Sequence, residues 1–265
     1  MKKTTIEVKE FYHDKLADAL ESCQKSGCRT MFMSELADAR VKGNAGWNQW
    51  YSTPSIRATG KTKQGNAVVV YAHVDNYFSN PANIRKAREQ ILINGAGIMP
   101  QDEFQKLLEQ EDGKSVFVVG YDALKNSESG VISVSKALKH PQVAPFLGGR
   151  ENAEKYLAAH KKAYNTDEIR VWHCDDLGDN PVGRLLFVGN YYDYDLLFGD
   201  GNLDDYGRFL GVRESDVAEG DAAKKIKAPS LEDVLKVSRR FVPDAERAEF
   251  EKQMKRLYRS RSKSP

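Results

Sequence analysis

SIRATGKTKQGNAVVVYAHVDN, residues Ser55 to Asn76, is the stretch on which the fold turns. Two runs that suit extended backbone, Ser55–Lys61 and Ala67–Val74, flank Lys63-Gln64-Gly65-Asn66. A glycine-containing turn between two such runs predicts a β-hairpin. Outward to the N-terminal side, Gly43–Pro54 is a loop rich in Asn, Gly and Trp. Before it, Met31–Ala39 reads as a short helix. Tyr12–Cys23 reads as an amphipathic one, with Leu16, Ala19, Leu20 and Cys23 on one face. Thr4–Phe11 alternates weakly, as a strand does.

On the C-terminal side, Pro81 suits the first turn of a helix running to about Ile93, where Asn94–Gly97 stops it. Pro100–Gln110, Ser133–His140 and Glu151–Tyr164 read as further helices, and SVFVVG (Ser115–Gly120) as a buried strand. Glu168–Cys174 and Arg184–Gly189 are strands able to pair antiparallel. Two helices, Leu231–Phe241 and Asp244–Tyr258, close the pattern. The expectation is a mixed α/β class (α+β if the strands segregate). It has a central mixed sheet of five or six strands, packed helices and a C-terminal helical pair. The expected division is a core over residues 1–221 and a helical appendage with a basic tail over 222–265.

Composition bounds the function. Charged residues are 29% and hydrophobic residues 40% of the chain, which gives enough apolar material for a core. No run approaches the roughly 18 apolar residues of a spanning helix, and MKKTTIEVKEF lacks the apolar core of a secretory signal. A soluble, cytoplasmic protein without membrane partners is expected. Three cysteines, Cys23, Cys28 and Cys174, form no disulfide framework and fit a reducing compartment. The net charge of +2 conceals segregation: Glu168–Asp221 carries 13 acidic and 4 basic residues, and Ala222–Pro265 carries 13 basic and 6 acidic.

A repeated shape suggests chemistry. VVVYAHVDN and IRVWHCDD each end an apolar strand on His-x-Asp, His73 with Asp75 and His173 with Asp175. Residues two apart on a strand share a face, so each pair projects together. Converging strand ends would let neutral imidazoles and carboxylates bind a divalent metal and activate water, with Asp122 and Asp176 completing the set. That predicts a metal-assisted or acid/base hydrolase acting on a phosphate-containing or small polar substrate. The structural reading is that each His-x-Asp braces its own strand terminus. GDGNLDDYG departs from a calcium loop at two required positions, Asp205 and Gly211, and reads as an exposed turn.

A non-catalytic nucleic-acid- or protein-binding module is the alternative. Trp47, Trp50, Tyr51, Arg57, Lys61 and Lys63 combine stacking surfaces with cations, as single-stranded nucleic acid requires. The basic tail from Lys252 to Lys263 would add phosphate contacts.

Overall fold

In the computed structural model, the described residues are 3–173, 176–191, 194–199, 201–217, 249–252 and 255. The chain divides into two compact units, one of Ile6–Ser215 and one of Met1–Thr5 with Asp216–Pro265. In the smaller unit, residues 249–252 and 255 are helical. The expected helix Leu231–Phe241 and most of the basic tail lie outside the described residues. None of the described helices is long and apolar enough to cross a membrane.

The expected hairpin is the centre of the larger unit. Strands β3 (Tyr51–Lys61) and β4 (Ala67–Ala72) pair antiparallel, with Ile56 opposite Ala72 and Lys61 opposite Ala67. Gly65 turns the chain with φ +84, a left-handed conformation that glycine adopts without a Cβ clash. Around this hairpin the sheet runs β6 (Val116–Gly120), β4, β3, β9 (Val182–Tyr191), β10 (Tyr194–Gly199), β8 (Glu168–His173), β7 (Gly130–Ser133). The short β5 (Gly97–Ile98) adds to β9 and makes eight strands. Strand β10 runs parallel to β8, and the other registered pairs are antiparallel. Strands β8 and β9 are therefore not neighbours, as the sequence suggested, because β10 lies between them. A second sheet orders β1 (Lys3–His13), β11 (Gly207–Val217) and β2 (Arg29–Thr30). Helices with largely antiparallel sheets make the organisation α+β.

Helices cover both faces of the large sheet. One face presents Val69, Tyr71, Leu186, Val188 and Val171 to α2 (Met33–Val41), α5 (Tyr121–Lys125), α7 (Val143–Phe146) and α8 (Arg150–Tyr164). The other presents Ile56, Ala58, Val70, Ala72 and Leu185 to α1 (Leu16–Lys25), α3 (Pro81–Arg88) and α4 (Gln101–Glu109). Each fully buried Leu, Val or Phe contributes roughly 1.5–3 kcal/mol, so two such layers hold the sheet firmly. The helix starts follow sequence logic: Asn80 caps α3 by accepting the Ala82 amide at 3.0 Å, with Pro81 at the first turn.

Covering both faces has one cost. Strand β3 alternates apolar Ile56 and Ala58 with polar Ser55, Arg57 and Thr59, a pattern that normally leaves the polar row in water. Here ten consecutive residues, Tyr51–Gly60, are buried. The polar row points into the core and is held there by partners, because an unpaired buried charge is prohibitively costly.

Candidate functional site

The polar row and its partners account for three of the residues expected to carry chemistry, Arg57, Asp176 and His73. The Arg57 and Arg184 side chains are wholly buried and converge on one oxygen of Asp176, at 2.6 and 3.1 Å. Asp176, itself 1% exposed, is thus the buried counter-ion of two sheet arginines. Burial drives the Tyr71 hydroxyl of the same cluster up to about 12, and it donates at 3.2 Å to the side-chain oxygen of Gln142.

His73 follows the end of β4. Its Nε2 donates to the Pro145 carbonyl at 2.9 Å, which leaves Nδ1 to accept from Ser55 Oγ, also at 2.9 Å. Ser55 Oγ in turn accepts the Met33 amide at 2.8 Å. The chain of bonds ties the start of α2 and the end of α7 to the hairpin. Burial pushes the His73 imidazole down to about 4, with the Pro145 bond opposing that shift, so the ring is neutral at neutral pH. Both ring nitrogens are occupied and neither is left for a metal. Asp75 and Asp122 are exposed at the surface, Asp122 in the first turn of α5.

His173 ends β8, which is four strand steps from β4, about 19 Å along the sheet at ~4.8 Å per step. Its Nε2 is 3.4 Å from Ser127 Oγ, and its ring centroid is 6.2 Å from that of His140. Asp175 and Cys174 lie outside the described residues. Among the described residues, no group of three or more His, Cys, Asp or Glu side chains can hold a metal ion. His73 and Asp176 serve as internal braces, and the two strand ends do not meet.

The aromatic set also separates. Trp47 packs inward among Tyr156, His160 and Tyr164, at centroid distances of 5.0, 6.3 and 6.1 Å. Arg40, buried, lies 5.4 Å over Trp47 and 5.8 Å over Tyr51, and donates to the Tyr156 hydroxyl at 2.7 Å. Tyr51 is buried with them and Arg57 is in the core. Lys61 and Lys63 sit at the exposed hairpin end, where Lys63 reaches Glu109 at 3.2 Å.

Trp50 is half-buried, and it has company the sequence did not suggest. Its ring lies 6.1 Å from Tyr12 and 5.5 Å from Phe187, and the Arg208 guanidinium covers Trp50 at 5.0 Å and Tyr12 at 5.3 Å. Glu10 is 3.4 Å from Arg208, and the side-chain oxygen of Gln49 accepts from it. Gly189 makes the seat: a Cβ there would sit 2.7 Å from the Trp50 Cβ and 3.0 Å from the Phe187 ring. Trp172 joins the same side of the sheet, because the register runs Trp172–Phe198–Phe187 across β8, β10 and β9. Tyr12 is 52% and Trp172 39% exposed, two of the three exposed aromatic side chains among the described residues, with Tyr206. These groups come from four remote strands, and no local sequence pattern joins them.

No protein-family model matches the chain, and no curated protein matches it. Among solved structures it is similar to one described as "Accommodation of massive sequence variation in Nanoarchaeota by the C-type lectin fold". The two are 55% identical with a TM-score of 0.72, over 78% of this chain and 98% of that one. The similarity overturns the expected hydrolase, since a C-type lectin fold is a carbohydrate- or protein-binding module. The expectation of a metal-binding enzyme fails with it, for the same reason and because the described residues assemble no metal cluster.

Proposed function

We propose a function from one premise: this chain belongs to the C-type lectin-fold family. It acts as a non-catalytic binding module that takes a protein partner on the Tyr12–Trp50–Phe187–Arg208 face, with Trp172 beside it. The observation that carries the reading is this part-exposed aromatic cluster under a guanidinium, with Tyr12 52% in water. Trp, Tyr and Arg dominate the energetics of protein–protein contacts, because each offers large area at low entropic cost. Strands packed on both sides hold the cluster from behind, so little ordering remains to be done on binding.

Charge favours a protein over nucleic acid. Trp172, Phe187 and Arg208 all fall within Glu168–Asp221, where acidic residues exceed basic ones by 9. Arg208 is already engaged by Glu10, and a phosphate backbone would meet few unengaged cations there. The similar structure's description, accommodation of massive sequence variation, supports a division of labour. In this reading the outward face tolerates side-chain change, and the two buried layers behind it do not.

The test is affinity capture from cell extract with immobilised wild type, Trp50→Ala and Arg208→Ala, quantified by mass spectrometry. A protein held by the wild type and released by both variants is expected. A partner held equally by all three forms would refute this surface. Binding of a single-stranded oligonucleotide that falls steeply with salt would replace the protein reading by the nucleic-acid one.

A further inference from the structure

Cys23 and Cys28 are both buried and both free. They sit at the two ends of the turn that stops α1. The Cys28 amide donates to the Cys23 carbonyl at 3.3 Å, the Gly27 amide donates to the Gln24 carbonyl at 3.0 Å, and Gly27 has φ +74. That is the paired-bond helix stop in which a left-handed glycine brings the flanking residues into side-chain contact. The turn itself therefore holds the two cysteines together. The bond from Cys28 to Cys23 keeps their Cα atoms within about 7 Å, at the edge of what a disulfide spans. Gly211 of β11 confirms the proximity: a Cβ on it would lie 2.7 Å from Cys23 Sγ and 2.8 Å from Cys28 Cβ.

We infer that Cys23 and Cys28 form an intramolecular disulfide site, closed by exchange with a low-molecular-weight disulfide. Cys28 is 8% exposed and Cys23 is fully buried, so Cys28 reacts first. Burial also drives the Cys23 thiol up to about 12, which disfavours it as the initial thiolate. The Cys28 thiolate attacks one sulfur of the reagent, breaking its S–S bond and releasing one thiol. Cys23 then gives up its proton and attacks Cys28 Sγ, expelling the second thiol. Two protein thiols are oxidised, and the reagent is reduced to two thiols. The product staples the end of α1 to the start of β2, beside the β11 residue Gly211 that pairs with Thr30.

The full chain carrying Cys174→Ser isolates the pair. After native incubation with oxidised glutathione, then unfolding in denaturant with iodoacetamide, the expected product is about 2 Da lighter than the reduced chain and takes up no alkyl groups. Trypsin should release LADALESCQK joined to SGCR, since Lys25 and Arg29 provide cleavage sites around each cysteine. Closing so short a loop should raise the melting temperature by roughly 5 °C, reversibly with reductant. Two alkylated cysteines, a stable glutathione adduct on Cys28, or a linkage between two chains would each overturn the assignment. Cys28→Ala, in which Cys23 should remain alkylatable and the thermal shift should vanish, is the control for folding.

Discussion

Two arginines in this molecule lie over paired aromatic rings, and they do opposite things. Arg40 covers Trp47 and Tyr51 inside the fold and is 1% exposed. Arg208 covers Trp50 and Tyr12 at the surface, where Tyr12 is half in water. Trp47 and Trp50 are three residues apart in one loop, so residue type and sequence neighbourhood are nearly matched. The difference is what closes over them. α8 contributes Tyr156, His160 and Tyr164 to the first cluster, while the second draws Tyr12, Phe187 and Arg208 from strands and leaves Tyr12 half exposed. The same cation–aromatic chemistry is spent on stability in one place and left for recognition in the other.

The comparison breaks most readily where burial is deepest. Asp176→Ala removes the carboxylate that Arg57 and Arg184 share, and should destabilise by about 3–5 kcal/mol. Replacing all three by apolar residues of similar volume should cost far less, because the desolvation of the charges disappears with them. Urea denaturation of the two variants decides between these outcomes. Arg40→Ala comes next. It opens a cavity and strips the Tyr156 hydroxyl and Gln49 carbonyl of their donor, for about 3 kcal/mol.

His73 sharpens the contrast through pH. Its folded value near 4 lies below its ordinary 6.5, so the unfolded chain takes up the proton first. The neutral ring's contribution is complete above pH 6.5 and is lost as pH falls toward 4, about 3 kcal/mol in all. The denaturation midpoint of the wild type should therefore fall faster over that window than that of His73→Gln. Parallel slopes would mean that the imidazole titrates in the fold as it does in water.

Much of the α+β outline was legible in the sequence, and the reasons are local. The hairpin Ser55–Val74, the Asn80–Pro81 helix start and the Glu151–Tyr164 helix each follow from turn chemistry, capping or period. The two-residue strands β2 and β5 were not legible, since so short a segment extends only because β11 and β9 supply partners. The polar alternation of β3 misled in a different way. It is the signature of a strand with one wet face, and only the helices packed on both sides turn Arg57 and Ser55 into internal struts. For the site, the sequence groups Trp50 with Trp47, Tyr51, Arg57, Lys61 and Lys63 as a nucleic-acid surface, whereas the fold sets it beside Tyr12, Phe187 and Arg208. Tyr12, Phe187 and Arg208 arrive from β1, β9 and β11, and their convergence is a property of sheet order that no window of sequence contains. The His-x-Asp symmetry failed because β4 and β8 are separated by three strands.

The smallest effect on stability should fall where the largest effect on binding is expected. Trp50→Ala and Arg208→Ala remove partly exposed groups whose partners also face water. Arg208 is only 20% exposed, so its cation–aromatic contacts contribute about 0.5–2 kcal/mol, and its 3.4 Å contact with the half-exposed Glu10 adds little. Each variant should therefore unfold within about 2 kcal/mol of the wild type while losing the captured partner. Gly189→Ala is the sharper form of the test, because its added methyl meets the Trp50 Cβ and the Phe187 ring and displaces the indole without deleting it. If that methyl abolishes capture while both rings remain, the geometry of the aromatic face, and not its apolar area alone, is what the partner reads.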